Sequence, residues 1–439
     1  MLDRLIDRCR TAPVHQPEGV VLDVVGLIVE IGGLRAAVGD TLELADAHGS
    51  VLEVEVVGFR AGRLLTTPLG SLSGIRPGAR VLTTQRGGSV PVSSALLGRV
   101  VDPFGAPLDG GPRIVPERVQ SVHAAPPPAF ARRPIDKPFR TGVRAIDGLL
   151  PLGTGQRMGI FAGAGVGKST LLGMICRSSQ ADVNVVGLIG ERGRELNDFI
   201  RNSLGPEGLA KSVVVTATSD QPPLVRARGA ESATAIAEYF RAHGKSVLLV
   251  MDSVTRFAMA LREAALAAGE PPATKGYPPS VFAALPRLLE RAGTSNGAGM
   301  ITALYTVLVE GDDLSDPIAD TVRGILDGHI VLSRSLAEKN HFPAVDVLQS
   351  ISRLAPEIAP EPVQRAGGVV RDLLSAYREA LDLIQVGAYV PGSDPRVDAA
   401  CAAQPHIDQF LKQRTVERTS LEETQVRLQK LATLAPKTR

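Results

Sequence analysis

Hydrophobic and polar positions change their spacing repeatedly along the chain. Leu2, Leu5, Ile6 and Cys9 recur at helical intervals with Asp3, Arg4, Asp7, Arg8 and Arg10 between them, so residues 1–18 are expected to form a short amphipathic helix. Its apolar stripe suits packing on its own domain or docking of a partner equally. Over residues 19–95 the pattern turns to β-branched runs, GVVLDVVGLIVEI, GSVLEVEVVGF and RLLTT, separated by Gly, Asp and Ser turns, which predicts a small all-β domain, a barrel. A proline-rich bridge, AAPPPAFARRPIDKP, follows. Within 96–354 the apolar runs RMGIFAG, VNVVGLIG, SVVVTAT, SVLLVMD, GMITALYTV and HIVLSR alternate with helix-length segments, which predicts a mainly parallel sheet covered by helices. In 355–439 the strand signals stop. That stretch reads as helices over 363–386 and 395–413, and a last one opened by a capping box, Ser420 with Glu423. The expected class is therefore α/β: an N-terminal β-barrel, a central sheet domain and C-terminal helices.

Composition narrows the function classes. The 439 residues are 44% hydrophobic and 21% charged, enough for a large core. Basic and acidic residues number 48 and 46, a net charge of +2, so no overall field draws the chain to nucleic acid or anionic lipid. A small barrel that binds nucleic acid stacks bases on exposed aromatics, and the β segment offers only Phe59; scaffold is the better reading. Cys9, Cys176 and Cys401 have no metal-ligand spacing and suit a reducing compartment. MLDRLIDRCR is too charged for a signal peptide and no apolar run reaches membrane length, so a cytoplasmic location is expected.

The chemistry concentrates in FAGAGVGKST, residues 161–170, between a buried strand and a segment of helical spacing. That context suits a phosphate loop, G-x-x-x-x-G-K-[ST], although Ala162 stands where the pattern has its first glycine. Gly163, Gly165 and Gly167 let backbone N–H groups turn around phosphate oxygens, Lys168 is expected to reach the terminal phosphates and Ser169 to bind Mg²⁺. Ala162 leaves the strand, where one methyl is tolerable. SVLLVMD ends a strand at Asp252, where a carboxylate supporting Mg²⁺ belongs, though many strands end in Asp. GLIGERGRELNDF ends another at Glu191 and Arg192, suited to orienting the attacking water and holding the γ-phosphate, or to a plain surface ion pair.

FAGAGVGKSTLLGM, GLIGERGRELNDF, LLVMDSVTRFAMALRE, GYPPSVFAALPRLLERAG and GDDLSDPIADTVRGILDGHIVLSR, in this order, resemble the ATPases that power flagellar and type III protein export, relatives of the catalytic subunit of rotary ATP synthases. The likeness extends through GRVVDPFGAPLDGGP to LIQVGAYVPGSDPRVD, nearly the whole chain. Ala162 is similar to a trait of the export ATPases, which carry FAGSGVGKS. The resemblance implies a RecA-like central domain that hydrolyses ATP with Mg²⁺. It gives the nucleotide to Gly163, Ala164, Gly165, Val166, Gly167, Lys168, Ser169 and Thr170, and the metal to Ser169 and Asp252. It implies that Glu191 positions the water, that Arg192 and Arg256 face the γ-phosphate, and that Arg353, in HFPAVDVLQSISR, is an arginine finger offered to the neighbouring subunit. Phe342 falls where relatives commonly stack tyrosine on adenine, and phenylalanine keeps that stacking face.

The implied assembly is a homohexamer at the cytoplasmic face of the membrane, peripheral to an export apparatus. Its expected partners are an export gate, a central stalk, chaperone–substrate complexes and a stalk-like regulatory subunit at residues 1–18, with no nucleic acid. FAGAGVGKS and LIQVGAYVPGSDPRVDAA look closer to the flagellar branch, with the injectisome ATPases as nearest rival. A Rho-like RNA translocase is opposed by the charge balance and the lack of an aromatic surface. A non-catalytic ring subunit is opposed by the intact Glu191.

Overall fold

The computed structural model describes residues 18–45, 50–84, 87–309, 311, 313 and 315–435, so the expected N-terminal helix, apart from Glu18, lies outside the described residues. The described chain forms two compact units: residues up to Ser89 together with 222–225 and 263–271, and the remainder.

In the first unit, β1 (Glu18–Val25), β2 (Ile28–Gly32), β3 (Thr41–Ala45), β4 (Val51–Arg60), β5 (Arg63–Pro68) and β6 (Arg80–Thr83) close into an antiparallel barrel, in the order β1-β2-β5-β4-β3-β6. Alternate positions turn inward, and Val29, Ile31, Leu42, Leu44, Val54 and Val81 are fully buried. Bulges at Val21/Asp23 and Val56/Gly58 adjust the register where the sheet curves. Phe59 stands exposed.

The second unit is built on an eight-stranded sheet. Its strands are β7 (Val100–Val101), β8 (Arg157–Ala162), β9 (Val183–Glu191), β10 (Ser212–Thr218), β11 (Ser246–Asp252), β12 (Met300–Leu308), β13 (Gly328–Leu332) and β14 (Val345–Ser352), in the order β14-β13-β8-β12-β11-β9-β10-β7. All neighbours are parallel except β13 and β14. Strands covered on both faces are mostly apolar, which is why β9 to β12 read as long hydrophobic runs, with buried Asn184, Thr216, Thr302 and Thr306 among the polar exceptions. Val90, Val92 and Leu96 are buried in the same cluster as β9 and β10, so the end of the segment 19–95 belongs to this unit.

The helices that matter for the site are α1 (Arg144–Leu149), α2 (Lys168–Ser178), α3 (Gly193–Asp198), α4 (Val254–Ala267), α5 (Pro317–Ile325), and the C-terminal α6 (Glu361–Gln385), α7 (Pro395–Leu411) and α8 (Leu421–Ala432). The serine half of the expected capping box opens α8, Ser420 Oγ accepting from Glu423 N at 3.0 Å, while the Glu423 carboxylate accepts from Arg427 Nη2 at 2.5 Å. The C-terminal helices share one core with α1 and α2, through Leu373, Ile407, Phe410 and Leu428. Arg144 pins them there. It is buried, donates from Nε to the Phe410 carbonyl at 2.9 Å, and pairs with Glu417.

Candidate active site

β8 runs into the glycine-rich loop and α2 begins at Lys168. Ala162 is still strand, pairing with Leu308 on one side and Leu332 on the other. A strand position has ordinary backbone angles, so alanine costs nothing where the general pattern has glycine. The true conformational demand falls on Gly165 and Gly167, at φ 78° and 89°. Lys168 to Ser178 then form a helix whose amino end points at the loop.

The loop opens on a cavity of about 760 Å³ lined by Gly163, Ala164, Gly165, Lys168, Ser169 and Thr170, and by Glu191, Arg192, Asp252 and Arg256 from the strand ends and the residues just beyond them. All of these come together at the carboxyl edge of the parallel sheet. Val166 is the exception in the loop: its side chain is buried in the core and offers only main chain.

Lys168 Nζ donates to Asp252 Oδ1 at 2.5 Å and lies 3.6 Å from Glu191 Oε1. Burial works against its charge, but Asp252 and Glu191 outweigh it and hold the amine above its ordinary value. Thr306 Oγ1 also donates to Asp252 Oδ1, at 2.7 Å, so both bonds fall on one carboxylate oxygen. Glu191 is pushed up to about 7, first by burial; Lys168 opposes this while Asp252 and a hydrogen bond with Glu195 reinforce it. Arg256 has a buried Nε without a hydrogen-bond partner beside this cavity. Arg192 is mostly exposed, 3.7 Å from Glu195.

Phe342 does not line this cavity. It lines an adjoining one of about 580 Å³ with Gly167, Thr170, Met174, Gln413 and Arg414. A Cβ on Gly167 would lie 3.4 Å from the Phe342 ring, so loop and ring are in near contact. Gln413 N donates to the Phe342 carbonyl at 3.0 Å, which ties the 412–417 segment to the aromatic.

Arg353 is absent from both cavities. Ala162, just before the loop, pairs with Leu332 at one end of β13, whereas Ser352 pairs with Gly328 at the other. The arginine thus sits beyond the amino edge of the sheet, about 13 Å along the strand from the loop. Sequence reasoning missed Glu195 and Arg194, which line the phosphate cavity, and the 412–417 segment. The run GERGRE held a signal for the first two: Glu195, in the first turn of α3, follows Glu191 at the end of β9 by four residues.

Fold and site together define a P-loop nucleotide-hydrolysing protein with a RecA-like body. The nucleotide-binding domain model of the ATP synthase alpha/beta family matches residues 142–352, and the T3SS EscN ATPase C-terminal domain model matches 359–430. The chain belongs to the family of flagellar and type III secretion ATPases, and is an ATPase. It is 51% identical over 424 residues to the flagellum-specific ATP synthase of Bacillus subtilis, covering 96% of each chain. It is 51% identical over 426 residues to the type 3 secretion system ATPase of Xanthomonas euvesicatoria, covering 97% of this chain and 96% of that one. The structure of the assembled ATPase EscN from enteropathogenic E. coli superposes with a TM-score of 0.88 at 44% identity, over 94% of this chain and 100% of EscN. EscN in complex with its central stalk EscO superposes with a TM-score of 0.87. Among the described residues no helix is long and apolar enough to cross a membrane.

Proposed function

We propose that this chain is the ATP-hydrolysing motor of a flagellar protein-export system, working as a homohexamer at the cytoplasmic face of the membrane to release export substrates from chaperones and drive them through a gate. The observation that carries the reading is the division of one chain's catalytic groups between two edges of its sheet. Lys168, Glu191 and Asp252 meet at the loop, whereas Arg353 lies at the opposite edge, out of reach. A complete site then needs a second copy, with one subunit gripping the phosphates and the next stabilising the transition-state charge.

In this reading Lys168 and the loop amides hold the phosphates, Glu191 orients the water, and Arg192 and Arg256 contact the γ-phosphate. Phe342 stacks on adenine. The cavity's oxygen donors suit Mg²⁺, and among the described residues no cluster of three acidic, His or Cys side chains could hold a metal alone, so the nucleotide must complete the set. Ser169 and Asp252 would hold that ion, which neutralises phosphate charge when bound. EscN's complex with its central stalk favours a stalk partner here too. The apolar stripe in residues 1–18 is a docking site for a regulatory subunit on sequence grounds. The Xanthomonas relative, as similar as the flagellar one, favours an injectisome ATPase as second reading.

The test pairs two variants. Glu191→Gln should bind ATP and fail to turn it over, and mixing Lys168→Ala with Arg353→Ala subunits before assembly should restore hydrolysis that neither has alone. Full turnover by Glu191→Gln removes the water-orienting role. Hexamers that stay inactive after mixing remove the arginine's action across the interface. Export of flagellin-type against effector-type substrates in cells lacking the native ATPase separates the two export systems.

A further inference from the structure

The amino edge of the sheet, opposite the loop, holds a polar cluster that takes no part in gripping phosphate. Asp327, between α5 and β13, accepts from Arg157 N at 3.0 Å and Arg157 Nε at 3.1 Å through Oδ2, and from Arg157 Nη2 at 3.1 Å through Oδ1. Arg157 is the first residue of β8, the strand that ends in the phosphate loop. The main chain of Asp327 returns the bond, its N–H donating to the Arg157 carbonyl at 2.9 Å. Its carbonyl accepts twice more, from Arg353 N at 3.0 Å and from Gln156 Nε2 at 3.0 Å. Gln156 is fully buried and also donates to Ser352 Oγ at 3.3 Å.

One residue is therefore fastened on one side to the start of the loop strand and on the other to the backbone of Arg353. The clamp on Arg157 is a bidentate, charge-assisted one, among the stiffest a side chain can make. The guanidinium of Arg353 itself is exposed and bonded to the Arg323 carbonyl at 3.3 Å, so its aim is set chiefly by where its backbone is held. Gly328, next to Asp327, tightens the corner: a Cβ there would meet the Ile351 carbonyl at 2.5 Å.

We propose that Asp327 is a positioning residue for Arg353, through which the strand carrying one subunit's phosphate loop fixes the arginine that the same subunit offers to its neighbour. Asp327 lies outside the phosphate cavity of its own subunit. It acts by holding the finger where the next subunit's γ-phosphate arrives, and it links each subunit's own loop to the competence of the adjacent site. The inference rests on the reading of Arg353 as a finger acting in trans.

An ångström of misplacement in a catalytic group costs on the order of 100-fold in rate. Asp327→Ala should accordingly lower kcat by roughly 10–100-fold with KM for ATP nearly unchanged, because its own phosphate cavity is untouched. Asp327→Asn, which retains an acceptor on Arg157, should lose less and covers the case that the alanine variant assembles poorly. The deciding measurement is hydrolysis by mixed rings, with hexamer content checked by sizing. Lys168→Ala mixed with Arg353→Ala is the control and should regain activity. Asp327→Ala mixed with Lys168→Ala should also regain activity, since intact fingers then meet intact loops. Asp327→Ala mixed with Arg353→Ala should not, since every finger is impaired. If the control recovers and Asp327→Ala with Lys168→Ala does not, the defect lies in the subunit's own site and the proposal fails. Recovery with Arg353→Ala defeats it equally. A control that stays inactive overturns the trans reading and this inference with it.

Discussion

Replacing Glu195 by glutamine is expected to move the pH dependence of ATP hydrolysis to lower pH. Glu191 titrates near 7 chiefly because it is buried, with Lys168 pulling its pKa down and Asp252 and the Glu195 hydrogen bond pushing it up. If the ionised form orients the water, the rate follows its ionised fraction, about 0.09 at pH 6 and about 0.9 at pH 8, a rise of about tenfold. A carboxylate at its ordinary value of 4.5 is already ionised throughout that window. Glutamine at 195 removes one cause of the upward shift, so the variant's midpoint must fall below that of the parent. The assay is kcat/KM from phosphate release at low ATP, between about pH 5.5 and 8.5 at constant ionic strength. Titration of ATP is common to both proteins, so the difference between the two limbs belongs to the enzyme. Coincident limbs, or a variant limb at higher pH, refute the reasoning. The same shift has a stability signature. A carboxyl whose folded pKa is raised contributes stability that is full below 4.5 and lost as pH rises through about 7, so Glu191→Gln should gain on the parent across that interval.

Two further substitutions probe the frame. Gly167→Ala forces a side chain into a φ of 89° with its Cβ 3.4 Å from the Phe342 ring; backbone strain of about 1–2 kcal/mol should appear as that much stability lost in denaturant unfolding if the loop keeps its shape, and as weaker binding of a fluorescent nucleotide if the loop relaxes instead, so a variant equal to the parent in both refutes the demand for glycine. Arg291→Ala strips Glu238 of its close partner, 2.6 Å away with both side chains almost wholly buried, and leaves it only Arg241 at 3.8 Å; it should cost about 3 kcal/mol in denaturant unfolding with little change in the KM of the surviving enzyme.

What the sequence made legible is what local geometry dictates. Gly165, Gly167 and Lys168 are near neighbours in the chain, and their conformation follows from strand, turn and helix end. Asp252 and Glu191 are legible because a parallel sheet brings the carboxyl ends of its buried strands to one edge. Ser420 with Glu423 announces a helix start. Arg353 is different in kind: only the family resemblance marked it, since the role proposed for it depends on a neighbouring chain. Gln413 and Arg414 reach Phe342 because Arg144 anchors the C-terminal segment, a long-range arrangement that no periodicity encodes. Asp327 reads as an ordinary loop acid until its bonds to Arg157 and Arg353 are traced. The end of the β segment shifted for a similar reason: Val90 and Val92 alternate like barrel residues but bury themselves against the central sheet.

The lining of the phosphate cavity carries Lys168, Arg192, Arg194 and Arg256 alongside Glu191, Glu195, Asp198 and Asp252, a balance of opposite charges. A polyanionic nucleotide approaching it meets little long-range attraction, in contrast to a cleft of one sign, which concentrates its ligand from solution. Affinity must come from short-range contacts with the loop amides and Lys168, which weaken once the terminal phosphate is cut away. Such a pocket sacrifices capture speed and avoids trapping its products. For the ring proposed above, whose subunits would empty and refill in succession, that nearly balanced lining favours exchange over retention.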